Sequence, residues 1–253
     1  LVQYNPNFEW EGDWAESWET SPDGLTWTFK LKPGGEWSDG TPLTAEDAVW
    51  TGETIRKYQK GPTANRAPFR SHVKSLEAPD PNTLVINYAR PVGNVLPQLQ
   101  QFFILPKHVW EQHVGADGKG LKQFNPQDDL PVVGAGPYII TEFDGKGTTI
   151  FEKNPGFYGP EPNADAIGYQ HFENEDALLT AFQGGELDFV EEVPPNAVET
   201  LQANDDLVVS KVESTDTKNF IFNSNPDKPE NRELLDPQVR EAFEYAMNRE
   251  EIA

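Results

Sequence analysis

The sequence predicts a fold of mixed α and β layers, on the strength of three observations. Residues 17 to 31 carry a β-hairpin pattern, residues 44 to 58 carry a helix pattern, and strand-like and helix-like segments alternate through the rest of the chain. Chains with this alternation pack helices against a sheet. No internal repeat or low-complexity tract suggests another architecture.

The first hairpin is marked by the turn Ser21-Pro22-Asp23-Gly24 and by strict alternation after it. Successive side chains of a strand point to opposite faces, so every second residue shares one face. The apolar face of this strand is predicted to consist of Leu25, Trp27, Phe29 and Leu31. A second strand is predicted after residues 79 to 82, with the in-phase residues Leu84, Ile86 and Tyr88.

Helix signals occur near both ends of the chain. Thr44, with Asp47 three residues later, predicts a helix start, and Gly61-Pro62 predicts its end. The buried face of this helix is predicted to be Ala48, Gly52, Ile55 and Tyr58. Near the other end, Asp236 as N-cap and Pro237 as first residue predict a helix over 237 to 247. Its apolar stripe is Val239, Ala242, Phe243 and Ala246.

The middle of the chain alternates between strand and helix patterns. The turn-rich residues 115 to 129 predict a long surface loop, and residues 144 to 147 predict a hairpin turn. A helix is predicted over 174 to 183, ended by Gly184-Gly185. Further strands are predicted at 137 to 143, 148 to 153, 187 to 190, 207 to 212 and 218 to 223.

The charge balance excludes two classes of partner. The chain has 42 acidic and 20 basic side chains, which gives a formal net charge of −22. A surface this negative repels nucleic-acid phosphates and anionic lipid headgroups. No apolar run reaches the roughly 18 residues that a membrane-spanning helix needs. The absence of cysteine removes thiol nucleophiles, disulfides and thiolate metal sites.

Both ends predict that the chain is an excerpt from a longer protein. It opens at Leu1 without a Met or a signal segment. It stops at Ala253, just after an amphipathic helix, without a Gly or Pro stop signal. Any export signal is then expected to lie outside these residues.

A search for catalytic and metal motifs gives no candidate residue. Pro137 directly follows Gly134-Ala135-Gly136, which disfavours a dinucleotide loop, and no Gly-x-Ser-x-Gly pattern is present. His108 and His113 are five residues apart and therefore on different faces of a helix, which disfavours a metal pair. We predict solvent-facing or hydrogen-bonded histidines throughout (His72, His108, His113 and His171). We likewise predict no catalytic residue, no cofactor and no metal.

Acidic residues and tryptophans leave alternatives open. Residues 161 to 210 hold twelve acidic side chains and no Lys or Arg, but without calcium-loop spacing, which favours a solvated acidic face. A glycoside hydrolase would need two convergent carboxylates beside an aromatic cleft, and the sequence marks no particular pair. Six of the seven tryptophans lie in the first fifty residues. They suit a small sheet core or a sugar-stacking platform, and the in-phase Trp27 favours the core.

Several short motifs occur in a fixed order along the chain. They are Trp14–Leu31, Trp37–Ala48, Gly134–Tyr138, Glu152–Tyr158, Ala181–Asp188 and Val239–Ile252. Each motif alone is weak, but their order and spacing closely resemble family 5 of the extracellular solute-binding proteins. These are the dipeptide and oligopeptide receptors of ABC importers. The motifs are mostly turns and caps, so the resemblance identifies the scaffold better than the solute.

The resemblance implies a type II periplasmic-binding-protein-like fold, of cluster C, in which two lobes close over a ligand. On that template residues 1–131 are similar to a subdomain inserted into lobe one. Residues 132–224 are similar to part of lobe one, and residues 225–253 to the start of lobe two. Most of lobe two is therefore expected to lie outside this chain.

The resemblance also implies a function for the parent protein. It would capture a small extracellular peptide, deliver it to ABC permease subunits and perform no chemistry. Asn219 and Asn223 are the candidate ligand-binding residues, on a strand expected along the cleft, with turn or strand-end roles as the alternative. We expect a periplasmic or extracellular monomer, with a lipid anchor as one variant. Open alternatives are an oligosaccharide, nickel-chelate or opine cargo, and a stand-alone surface interaction domain.

Overall fold

The computed structural model describes residues 1–58, 61–63, 72–191, 193–210 and 220–248. The chain divides into two units, Leu1–Gln183 and Gly184–Ala253, and each is described by itself. Strands and helices both contribute to the first unit, which confirms the predicted mixed α and β class. The predicted three-part division at residues 131 and 224 stays a prediction.

A short hairpin that the sequence patterns did not reveal opens the first unit. Strands β1 (Val2–Tyr4) and β2 (Trp10–Gly12) pair antiparallel and place Tyr4 opposite Trp10. The two rings are in contact, with centroids 3.9 Å apart and planes tilted by 31°. The side-chain oxygen of Asn5 accepts the Asn7 and Glu9 amides at 2.9 and 3.0 Å, which closes the turn between the strands.

A four-stranded antiparallel sheet forms the centre of the first unit. Its strands are β3 (Ala15–Thr20), β4 (Thr26–Leu31), β5 (Val73–Asp80) and β6 (Thr83–Tyr88), in the order β3-β4-β6-β5. The predicted hairpin and the predicted apolar faces are confirmed, since Phe29, Leu84 and Ile86 are fully buried. The sequence patterns missed β5, because two register shifts in its pairing with β6 break the two-residue period.

Helix α1 (Ala45–Lys57) covers one face of this sheet. The Thr44 amide donates to the Asp47 carboxylate at 3.0 Å, as the predicted N-terminus requires. Ala48, Gly52 and Ile55 are buried, and Tyr58 is partly buried. A Cβ on Gly52 would lie 2.6 Å from the Leu76 side chain, so glycine permits the close contact between α1 and β5.

Side chains of α1 also hold the segment that follows the sheet. This segment contains α2 (Val95–Gln100) and α3 (Lys107–Trp110). The buried Asp47 carboxylate accepts the Lys107 amide at 3.1 Å, and the Thr51 hydroxyl accepts the Leu105 amide at 3.0 Å. These bonds fix the start of α3 against α1.

The segment predicted as a long surface loop, residues 115 to 129, is mostly exposed but has short helical elements that were not predicted. It contains helix α4 (Gly120–Gln123) and a 3₁₀ turn at Pro126–Asp128. Leu121 is 1% exposed, and its buried side chain anchors this helix to the rest of the first unit. A single buried leucine among polar residues gives too weak a periodicity to reveal such a short helix.

A second, three-stranded antiparallel sheet follows. It consists of β7 (Tyr138–Phe143), β8 (Thr148–Lys153) and β9 (Ala166–Gln170), in that order. The first two strands and their turn were predicted, whereas the mostly exposed β9 was not. Helix α5 (Glu175–Gln183), also predicted, completes the first unit and buries Ala181.

The second unit is helical where regular structure is described. It holds α6 (Pro195–Gln202), a 3₁₀ turn at Arg232–Leu235, and α7 (Pro237–Ala246). The predicted strand at 187 to 190 is wrong, as are the described parts of the strands at 207 to 212 and 218 to 223. Residues 211 to 219 lie outside the described chain. No described strand in this unit offers these segments a backbone partner, and Phe189 is 79% exposed.

Helix α7 begins as predicted. The Asp236 carboxylate accepts the Gln238 amide at 2.9 Å, and Pro237 is the first helical residue. Its apolar stripe is only partly covered by the described residues, since Phe243 is 47% exposed. Within the described ranges, no helix is both long and apolar enough to cross a membrane.

Candidate functional site

Three motifs that are distant in sequence meet within the first unit. They are residues 37–41, 134–138 and 154–158, which we call the motif junction. The Ser38 amide donates to the Gly134 carbonyl at 2.9 Å, and the Gly134 amide donates back to the Ser38 hydroxyl at 3.1 Å. This reciprocal pair joins the first two segments of the junction.

Asn154 joins the second and third segments. It is 3% exposed, and its side-chain amide donates to the Gly136 carbonyl at 2.9 Å. Its backbone amide donates to the Pro137 carbonyl at 2.9 Å, and its side-chain oxygen accepts the Gly156 amide at 3.0 Å. The Gly156 carbonyl in turn accepts the Glu36 amide at 3.2 Å, so the motifs close into a ring of hydrogen bonds.

Tyr158 connects the junction to the start of the chain. Its hydroxyl donates to the Asp13 carboxylate at 2.8 Å, and the Lys32 ammonium lies 5.6 Å from its ring centroid. Burial, followed by the neighbouring Asp13 charge, raises the pKa of Tyr158 well above its ordinary value. The phenol therefore stays protonated and remains a donor to Asp13.

A second polar contact links the junction to α3. The His108 Nε2 atom lies 2.7 Å from the Asp39 carboxylate, whose other oxygen accepts the Thr41 amide at 3.0 Å. Burial acts to raise the pKa of Asp39, but the hydrogen bonds from Thr41 and His108 together hold it below its ordinary value. The buried Trp37 ring meets His108 edge to face.

The junction is built for support. Its carboxylate, amide and hydroxyl groups bond to one another or to backbone, so the ring fixes the second sheet to the first. In the part of the chain that the structure describes, no group of three His, Asp or Glu side chains could hold a metal ion. The geometry thus supplies a rigid scaffold.

The two predicted ligand-binding residues have different outcomes. Asn219 lies outside the described residues. Asn223 is exposed and its side-chain oxygen accepts the Asn225 amide at 3.2 Å, which is a local turn. Its side-chain amide makes no hydrogen bond with any described residue. The ligand-binding role of both residues therefore stays a prediction.

The second unit also presents an aromatic surface that the sequence patterns did not single out. Phe222 lies 5.4 Å from both Phe220 and Phe243, measured between ring centroids. We call these three residues the phenylalanine cluster. Phe220 is 70% exposed and the neighbouring Ile221 is 86% exposed. The alternation of Phe220 and Phe222 is the one sequence signal of this surface, and by itself it predicts a strand and not an exposed aromatic cluster.

The tryptophans of the first unit mainly pack in or against the core, as predicted, and two of the histidines have the predicted polar contacts. Trp14 and Trp37 are buried in the core, and Trp10, Trp18 and Trp27 pack against it. His108 is hydrogen-bonded, and His72 lies 2.8 Å from the Arg90 guanidinium. His113 instead stacks on a phenylalanine ring.

Comparison with known proteins identifies the scaffold. The profile described as "Bacterial extracellular solute-binding proteins, family 5 Middle" matches residues 9–253. The chain belongs to family 5 of these solute-binding proteins. Members of family 5 are periplasmic or extracellular, and the earlier resemblance to this family is confirmed.

Relatives and solved structures agree with this family 5 assignment. A Brucella ovis protein named as an ABC transporter peptide-binding protein is 30% identical over 253 residues, which is 100% of this chain and 46% of the relative. MoaA from A. tumefaciens R10, solved with mannopinic acid, is 29% identical with a TM-score of 0.69 over 85% of this chain and 42% of its own. Helicobacter pylori DppA, solved with the peptide STSA, is 25% identical with a TM-score of 0.66, over 81% of this chain and 42% of its own.

These matches confirm the type II periplasmic-binding-protein fold. The relatives are substrate-binding proteins rather than enzymes. The chain spans about half the length of the curated relatives that it matches.

Proposed function

We propose that this family 5 chain is part of the substrate-binding component of an ABC importer that captures extracellular peptides and delivers them to a membrane permease. The observation that carries the proposal is the match of the whole chain to a Brucella ovis relative named as peptide-binding. The Helicobacter pylori DppA structure, solved with a peptide, supports the same cargo.

The mechanism is binding without turnover. A receptor of this kind closes over its ligand by a shift between populated conformations, and the ligand's binding free energy drives the shift. The motif junction supports this role because it is a rigid ring of hydrogen bonds with no chemistry of its own. The cleft would be completed by residues outside this chain, since the relatives are about twice as long.

Asn223 and Asn219 are our proposed peptide contacts. The Asn223 side-chain amide has no hydrogen-bond partner among the described residues, so it is available to donate to a peptide carbonyl. The exposed Phe220 and Ile221 next to it offer apolar surface for a peptide side chain. We also propose that the protein acts as a monomer, held at the cell surface by a lipid anchor or free in the periplasm.

An opine is the second candidate cargo. MoaA holds mannopinic acid and is 29% identical to this chain, against 25% for the peptide-bound DppA. Sequence identity at this level, with shared motifs that are mostly turns and caps, is compatible with either solute. The cargo must therefore be determined by experiment on the protein itself.

The test is to identify the solute that the complete gene product carries when it is purified without denaturation. Acid extraction followed by mass spectrometry should release a mixture of short peptides in near-stoichiometric amount. Asn223→Ala should lower the amount retained, whereas Asn196→Ala, an asparagine at the start of α6, should not. A single opine, oligosaccharide or nickel chelate in place of peptides would contradict the proposed cargo.

A further inference from the structure

A cleft of about 370 Å³ lies in the first unit, and no residue of the motif junction lines it. We call it the 113–129 cleft. Besides the backbone of Gly120, it is lined by His113, Gln123, Phe124, Asn125, Asp128 and Asp129. Its volume is in the range of small-molecule sites. Peptide capture, as proposed above, makes no use of it.

One wall of the cleft is aromatic and fixed by packing. The Phe124 ring stacks on His113 with centroids 3.9 Å apart and planes 6° apart. The buried Trp110 meets the same ring edge to face at 4.9 Å. A Cβ on Gly120 would lie 1.5 Å from the His113 carbonyl oxygen, so only glycine allows this backbone approach. The wall is therefore formed before any ligand arrives.

The lining of the cleft also includes two acidic residues, Asp128 and Asp129. The Asn125 side-chain amide donates to the Asp128 carboxylate at 2.9 Å and orients it. The Asp129 carboxylate makes no hydrogen bond or ion pair with the residues that the structure describes. The nearby Lys119 ammonium is already paired with Asp117 at 2.7 Å. Both acidic residues thus line the cleft, and neither forms an ion pair with a described residue.

A cleft lined by both an aromatic stack and acidic residues suits one class of ligand. A guanidinium group is planar, delocalised and weakly hydrated, so it stacks on aromatic rings and pairs with carboxylates at the same time. A compact ammonium ion meets only the second requirement. We propose that the 113–129 cleft is an accessory site for a small guanidinium compound, which packs against the His113–Phe124 stack and pairs with Asp128 and Asp129. The site does not depend on the identity of the transported solute.

The test is an NMR titration of the intact protein with Nα-acetylarginine amide. Saturable shifts should be confined to the cleft, including the Asn125 side-chain amide and the Phe124 ring. Nα-acetylcitrulline amide has nearly the same shape without the charge, and we expect it to bind about tenfold more weakly. Equal binding of the two compounds, or no saturable shift with the arginine compound, would overturn the proposal.

Variants locate the site. Asp129→Asn should weaken binding about fivefold, and Phe124→Leu about threefold. Glu111→Gln is the matched control, because it removes one exposed carboxylate from the same segment but does not line the cleft. Circular dichroism checks that each variant is folded. If Phe124→Leu is unfolded, the test rests on Asp129→Asn, which changes an exposed side chain. Equal effects of Asp129→Asn and Glu111→Gln would show that only overall charge matters and would refute the site.

Discussion

The side-chain amide of Asn154 donates a hydrogen bond to the Gly136 carbonyl, 2.9 Å away and 18 residues earlier in the chain. The donor belongs to the Asn-Pro-Gly-Phe-Tyr motif and the acceptor to the Gly-Ala-Gly-Pro-Tyr motif. Two motifs that are each uninformative alone are therefore halves of one structural element. The hydrogen bond gives the spacing of the two motifs in this chain a structural reason.

We predict that Asn154→Ala lowers the free energy of unfolding by about 2 kcal/mol. The substitution leaves the partly buried Gly136 carbonyl and Gly156 amide without their side-chain partner. Chemical denaturation followed by circular dichroism measures the change. Asn163→Ala is the control, because Asn163 is exposed and should change stability by less than about 0.5 kcal/mol. Equal effects at the two positions would contradict the role given to Asn154.

The Asp39–His108 contact predicts a pH dependence. The pKa of Asp39 in the folded protein lies below its ordinary value of 3.8, so its contribution is complete above that pH and is lost as pH falls through the folded pKa. Asp39→Asn should therefore cost about 0.5–1 kcal/mol near neutral pH, a modest value for a partly exposed pair. The difference between the two proteins should shrink towards zero as the pH falls below 3.8 and through the pKa of Asp39 in the folded protein.

The matched control for this pH profile is Asp205→Asn. Asp205 is exposed and makes no hydrogen bond or ion pair with the described residues. Its unfolding curve should follow that of the unsubstituted protein at every pH. A constant difference between Asp39→Asn and the unsubstituted protein across the acid range would show that packing, and not titration, is responsible.

The net charge of −22 predicts stability that rises with salt. Like charges repel in the compact state, and 1 M salt shortens the screening length to about 3 Å. We expect the free energy of unfolding to rise by about 2 kcal/mol between low salt and 1 M NaCl. Tetramethylammonium chloride at the same ionic strength should have a similar effect if screening is the cause. No response to either salt would contradict this account.

The apolar stripe of α7 predicts that its partner lies outside these residues. A ten-residue helix is marginal in water without tertiary packing, yet the Phe243 ring is 47% exposed. Phe243→Ala should cost less than about 1 kcal/mol in the 253-residue chain. In the complete gene product the same substitution should cost about 3 kcal/mol, as for a buried phenylalanine. Equal small losses in both proteins would contradict this packing.

The first unit was largely predictable from its local signals. The Asp23-Gly24 turn, the Thr44–Asp47 pair and the alternation around Phe29 each agree with the contacts that form. In contrast, β5 was missed because its bulges break the two-residue period. Turn chemistry and unbroken periodicity therefore explain both the successes and the failure.

The second unit and the site were less predictable. The segment Leu187–Val190, with three apolar residues of four, has strand propensity, but a strand requires a neighbour, and no described strand pairs with it. The Ser38–Gly134 and Asn154–Gly136 bonds depend on tertiary contacts, so the motifs predicted a family and not a junction. The ligand-binding role predicted for Asn223 rests on the family resemblance. Its hydrogen bond with the Asn225 amide agrees with the alternative prediction, a local turn.

The most direct test of peptide capture is calorimetry with mixed di- to pentapeptides on the complete gene product and on the 253-residue chain. A micromolar dissociation constant corresponds to about −8 kcal/mol, and loss of half the contacts leaves about −4 kcal/mol, which is millimolar. We predict a stoichiometric isotherm at micromolar concentration for the complete protein and no saturable heat for the 253-residue chain. Absence of peptide binding by the complete protein would contradict peptide capture, and a micromolar isotherm for the 253-residue chain would contradict a cleft shared with residues outside it.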